Sequence, residues 1–117
     1  MSRSVLIKNK ISQFKKIIKV SGDKSISIRW VLLSSLSAGI STAKNLLMSE
    51  DVLAALEAIN KLGIRSKFTR NKCIIYGKGI DGYKFKKKLT INAANSGTLG
   101  RLILGLLVNS PYPIKLI

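Results

Sequence analysis

Val20-Ser21-Gly22-Asp23-Lys24-Ser25-Ile26-Ser27-Ile28-Arg29 decides how this chain is read, because it turns from a strand-like run into a helix while setting a lysine, serines and an arginine at the turn. Gly22 and Asp23 are loop formers, and a helical pattern starts at about Ser25 and runs through Leu36 toward Gly39. The first N–H groups of such a helix have no partner within it and carry the positive end of its dipole. At 100° per residue, Ile26, Ile28, Trp30, Leu32, Leu33 and Leu36 form a broad apolar arc, with Ser25 and Arg29 inside it. An arginine placed there needs an anion, and no acid stands three or four residues away. Two readings stay open: an arginine that snorkels beside a capping serine, and a phosphate or carboxylate site built from Lys24, Ser25, Arg29 and the helix N-terminus.

Around this stretch the chain has 117 residues, enough for one modest core, so it reads as one domain or a piece of a larger one. Pro113-Ile114-Lys115-Leu116-Ile117 reads as the start of a buried strand, which favours the piece. The formal charge is +16, from 21 Lys and Arg against 5 Asp and Glu, and such a balance raises nucleic acid or an anionic surface as a partner. The lysines, however, are scattered over every segment. Only Lys84-Phe85-Lys86-Lys87-Lys88 forms a dense run, read as a solvated loop. No zinc-ligand pairs and no aromatic-interleaved basic strand of the RNA-binding kind are present, so neither a metal nor a specific nucleic acid is expected. The one cysteine, Cys73, excludes an internal disulfide and fits a reducing compartment. With no histidine, acid–base chemistry within the chain would fall to Lys, Tyr or the five carboxylates. The longest apolar run, Leu102 to Val108, is far too short to span a bilayer, so no membrane role is expected.

In order, Ser4-Val5-Leu6-Ile7-Lys8 and Lys15-Lys16-Ile17-Ile18-Lys19-Val20 read as short strands, the second feeding the turn. Helix Ser25 to Ala38 follows, then a strand over Thr42 to Leu47. Ser49 is a good cap for a helix from Glu50 to Leu62 that Gly63 closes; Glu50 and Asp51 suit its positive end and are read as helix-stabilising. Ile64 to Thr69 and Lys72 to Tyr76 read as a hairpin around Arg70-Asn71. The class is therefore α+β (mixed α/β), with a β-α-β-α-β-β unit over 15–76. A second round begins at Leu89-Thr90-Ile91-Asn92 and enters Asn95-Ser96-Gly97-Thr98-Leu99-Gly100-Arg101, then an apolar helix to Val108. Both turns put an arginine one turn into an apolar helix. A spacing longer than solenoid repeats argues for a duplicated supersecondary unit, in which Gly97 would allow close backbone approach to a ligand.

Together, Gly22-Asp23-Lys24-Ser25-Ile26-Ser27-Ile28-Arg29 and Asn95-Ser96-Gly97-Thr98-Leu99-Gly100-Arg101, with Asn45-Leu46-Leu47-Met48-Ser49-Glu50-Asp51-Val52 between them, closely resemble the N-terminal signatures of the 5-enolpyruvylshikimate-3-phosphate (EPSP) synthase family. Ser25, where the sister UDP-sugar enolpyruvyl transferases carry asparagine, favours that family over them. The resemblance implies a transferase of the shikimate pathway that moves enolpyruvyl from phosphoenolpyruvate to the 5-hydroxyl of shikimate 3-phosphate, with no metal or organic cofactor. By the same resemblance Lys24 would touch both substrates and be the catalytic residue here. Ser25 and Arg29 would hold shikimate 3-phosphate, while Asn95, Gly97 and Thr98 would border phosphoenolpyruvate; Arg101 would be structural. The implied protein is a cytoplasmic monomer of two domains, each of three β-α-β-α-β-β units. Residues 1–117 would be part of its N-terminal region, 89–117 would begin a second unit, and the strand at 4–8 would belong with the other domain. The acid–base carboxylates would lie beyond Ile117, so the chain alone would be inactive. Ile28 and Ala94 depart from the family pattern, which usually has histidine or asparagine and glycine there. The competing classes are a small basic nucleic-acid-binding module and a phosphate-binding domain without catalysis.

Overall fold

Helix α2, Glu50–Lys61, is specified at both ends by its own sequence. Ser49 caps it by accepting the Val52 N–H, and Glu50 and Asp51 stand at its positive end. At the other end Gly63 has φ 86°, and the N–H groups of Gly63 and Ile64 donate to the carbonyls of Asn60 and Ile59, a Schellman closure that only a left-handed residue completes cheaply. Between those ends Val52, Ala55, Leu56, Ala58, Ile59 and Leu62 are buried.

The computed structural model describes residues 4–6, 8, 13, 15 and 17–117. Helix α1, Lys24–Leu36, precedes strand β1, Ala38–Lys44, and α2 precedes the hairpin of β2, Arg65–Thr69, and β3, Lys72–Lys78. Strand β4, Leu89–Ile91, helix α3, Gly97–Leu106, and strand β5, Ile114–Leu116, complete a mixed α/β chain. The first sheet is antiparallel in the order β1-β3-β2, with Ile40 opposite Tyr76 and Phe68 opposite Cys73. The second pairs β4 and β5 in parallel, with α3 as the crossover, and the Ile117 N–H extends the ladder to Ile91.

Along β3 the pleat sends Cys73 and Ile75 inward to full burial and leaves Ile74 and Tyr76 half-covered outside. Helices α1 and α2 cover the inner face. The outer face is open. It carries Lys44, Lys67, Lys72 and Lys78 in exposed positions, and Arg65 stacked 4.2 Å over the Tyr76 ring. Five of the 21 Lys and Arg residues therefore sit on a solvated sheet face. The lysines of the 84–88 run are exposed as expected, while Phe85 meets Tyr112 edge-on at 6.0 Å.

Three expectations change. Strands were expected at 4–8 and 15–20, but the described residues there, 4–6, 8, 15 and 17–20, form none, and Ile17, Ile18 and Val20 are exposed. A strand needs a ladder partner for its backbone, and no described residue supplies one. Residues 24–78 thus run α-β-α-β-β, without the leading strand. The strand expected at Thr42 to Leu47 begins earlier, because α1 stops at the Ser37 cap, and it ends where Asn45 turns to φ 58°. The inward face of α1 also differs: it buries Ser27, Ile28, Val31, Leu32, Ser34 and Ser35, and leaves Ile26 and Leu33 outside.

Serines make half of that face. A Cβ on Gly77 of β3 would collide with the carbonyl oxygens of Ser34 and Ser37, so the end of α1 lies against bare backbone. Ser35 donates to the Leu32 carbonyl at 2.6 Å, which commits its proton, so Tyr83 must donate to Ser35 Oγ across 2.6 Å. Burial pushes the Tyr83 phenol above its ordinary value. A raised folded value means that the stability contributed by neutral Tyr83 is full below the ordinary value of 10.0 and is lost as pH rises through the folded one. Tyr83→Phe should cost about 1 kcal/mol in urea unfolding at neutral pH, with an unchanged m-value, and should flatten the alkaline loss of stability.

Candidate functional site

The starts of α1 and α2 face one another. Asp23 caps α1, its Oδ1 accepting the Ile26 N–H at 2.7 Å and its carbonyl accepting the Ser27 N–H at 2.9 Å. The N–H groups of Lys24 and Ser25 have no hydrogen-bond partner among the described residues and lie at the positive end of the helix, open to a ligand. Ser27, 4% exposed, accepts the Leu47 N–H at 3.2 Å and so fixes the loop before α2 against α1. Gly22 belongs to the same contact. A Cβ there would sit 2.6 Å from the Asn45 carbonyl oxygen and 3.0 Å from the Leu47 nitrogen, so only glycine lets the two loops pass this closely.

This packing brings Lys24 Nζ to 2.8 Å from Asp51 Oδ2. The lysine side chain is 49% exposed and the aspartate only 13%. Ser25 is half-buried beside them. Arg29 is exposed, not held within an apolar arc, because α1 turns its serines inward and its Ile26 to Leu33 side outward. It joins neither of the two ion pairs found among the described residues. A guanidinium in water is inexpensive, so its position neither requires an anion nor obstructs one.

The second turn has the same construction. Ser96, 4% exposed, caps α3 by accepting the Leu99 N–H at 3.1 Å. Asn95 is exposed just before it, Gly97 opens the helix in the open, and Thr98 is half-buried. Ala94 holds φ 52°, with its N–H bound to Asn92 Oδ1 at 2.7 Å. The family's usual glycine there suits that left-handed backbone better than alanine does. The two turns share one core, in which Ile28 of α1 and Leu99 of α3 are fully buried. No hydrogen bond or ion pair among the described residues joins Lys24, Ser25 or Arg29 to Asn95, Gly97 or Thr98.

Chemically, the start of α1 sets a lysine at the positive end of a helix. Of the carboxylates beside it, Asp23 caps α1 through Oδ1 and Asp51 pairs with Lys24 through Oδ2. The described residues hold no group of three His, Cys, Asp or Glu placed for a metal ion. No described helix is long and apolar enough to cross a membrane. Sequence reasoning passed over Asp51 as a site residue, since its place at the second position of a helix was reason enough for an acid. The only further signal was that Lys24 and Asp51 each begin a helix.

The chain is thus a mixed α/β layer with three capped helix starts, the first of them carrying a lysine. The chain belongs to the EPSP synthase family: the family model described as EPSP synthase (3-phosphoshikimate 1-carboxyvinyltransferase) matches residues 8–116. The 3-phosphoshikimate 1-carboxyvinyltransferases of Streptococcus pyogenes serotypes M2 (strain MGAS10270) and M1 are each 42% identical over 100 residues, 86% of this chain and 23% of theirs. The solved EPSP synthase of Acinetobacter baumannii superposes with a TM-score of 0.75 at 28% identity, over 85% of this chain and 23% of that one. The chain thus spans about a quarter of the length of these relatives.

Glycines 22 and 97 separate by stability. At Gly97 an added Cβ would meet only Arg101 Nη2, at 3.0 Å, the movable end of a long side chain, and the backbone is helical. Gly97→Ala should therefore fold with unchanged or slightly higher stability, up to about 1 kcal/mol. Gly22→Ala meets backbone and should lose roughly 1–3 kcal/mol. A thermal melt of both variants checks this, and equal losses would contradict the contacts described.

Proposed function

We propose that this chain forms the shikimate 3-phosphate side of an EPSP synthase, an enzyme that transfers enolpyruvyl from phosphoenolpyruvate to the 5-hydroxyl of that substrate. The observation that carries the reading is the start of α1, where Lys24, Ser25 and two helix N–H groups unbonded among the described residues stand one turn before Arg29, in a chain of this family. Lys24 meets both substrates and is the catalytic residue of this region. Ser25 and Arg29 hold the phosphate of shikimate 3-phosphate, and Asn95, Gly97 and Thr98 border phosphoenolpyruvate. Gly97 suits that role because neither φ nor packing demands a glycine there.

In this reading residues 1–117 are an N-terminal part of a two-domain cytoplasmic monomer, and the reaction needs no cofactor. Residues 15–76 supply its first unit and 89–117 begin its second, with 4–8 belonging to the other domain. By the family resemblance the acid–base groups lie outside residues 1–117, and these residues alone do not turn over. Nucleic acid is no specific partner in this reading, since the basic residues are scattered over every segment of the chain.

Arg29→Ala in the complete enzyme should weaken shikimate 3-phosphate by roughly 10- to 150-fold, the worth of a charge-assisted hydrogen bond of about 1.5–3 kcal/mol. Arg29→Lys should recover only part, because an ammonium lacks the planar fork that meets two phosphate oxygens. Equilibrium binding decides, and an unchanged dissociation constant in Arg29→Ala would remove this residue from the site.

A further inference from the structure

Two ion pairs occur among the described residues, and they differ in kind. Glu57 with Lys61 is a surface pair one helical turn apart, its glutamate 65% exposed. Lys24 with Asp51 instead ties the first residue of α1 to the first turn of α2, and its aspartate is nearly covered. A shielded carboxylate in a capped helix start is a fixed object, whereas a lysine is a flexible stem with several rotatable bonds. The pair therefore restrains the lysine more than the aspartate.

We infer that Asp51 is a positioning residue, which holds the Lys24 ammonium at the mouth of the α1 N-terminus before any ligand arrives. The inference rests on the proposed role of Lys24 in binding both substrates. An ammonium has three N–H donors; Asp51 Oδ2 takes one at 2.8 Å, and the half-exposed head leaves two facing outward. Two donors serve two anions. A lysine already restrained by Asp51 also loses less rotamer freedom when ligands bind. Glu50, the neighbouring acid, is exposed and makes no such contact, so it shares the helix-end effect with Asp51 and nothing else.

The sign of the effect makes the inference testable. Removing a negative charge beside an anion site should tighten anions if charge alone matters, whereas loss of positioning should weaken them. In the complete enzyme, Asp51→Asn should weaken both shikimate 3-phosphate and phosphoenolpyruvate about 10-fold, as expected when most of a lysine's rotamer freedom must be lost on binding. Glu50→Gln, with a similar effect on the melting temperature, should leave both affinities near wild type. Asp51→Glu should recover part of the loss. In a Lys24→Ala background, Asp51→Asn should cause no further weakening, because the residue through which it acts is gone. Wild-type or tighter binding by Asp51→Asn would overturn the inference, as would an equal loss with and without Lys24. If Lys24→Ala itself leaves both affinities unchanged, the proposed role of Lys24 falls, and the inference with it.

Discussion

The close approach of α1 to the sheet is the constraint from which the rest follows. Ser27, Ser34 and Ser35 face inward where larger side chains would hold the helix away, and Gly77 removes the opposing Cβ. At that distance Ser35 reaches Tyr83, and at the other end of the helix Ser27 reaches the Leu47 amide. One helix face thus sets both the loop that covers the far end and the loop that completes the site. Hydroxyls are suited to this. They are small, Ser27 and Ser35 find partners, and no fully buried side-chain nitrogen or oxygen among the described residues is left unmatched.

Where short-range chemistry decides a structure, the sequence was legible. The cap at Ser49, the glycine at Gly63 and the Arg70-Asn71 turn are local signals, and α2 and the hairpin stand within a residue or two of where those signals put them. The α1 face was misread because periodicity counts apolar residues, whereas packing distance rewards small ones. An arc through Ile26 and Leu33 is the more hydrophobic choice, and the molecule turns it outward. The described residues 15 and 17–20 form no strand for another reason: β-propensity lies in the residues, but a strand is made by its neighbour.

At the site, residue types were legible and their relations were not. Lysine, serine and arginine at a helix start suggest an anion, and the family resemblance suggests which one. That Asp51 would come to Lys24 depends on the Ser27 to Leu47 hydrogen bond and on the room left by Gly22, neither of which has a sequence pattern. The same applies to Ala94, whose departure from the family's glycine means little until its φ of 52° is seen.

The open sheet face has a bearing on how ligands for this protein are to be sought. Lys44 lies directly opposite Lys72 across the β1–β3 ladder, with Lys67 and Lys78 on the same surface and no acid among them. Like charges so placed destabilise the sheet, and dissolved multivalent anions relieve them by screening. Phosphate, citrate or polyphosphate will therefore raise the melting temperature without entering the site at α1. A thermal-shift screen run in dilute buffer would rank compounds by charge. Run in high salt with a Lys24 variant as the counter-screen, it would rank them by fit.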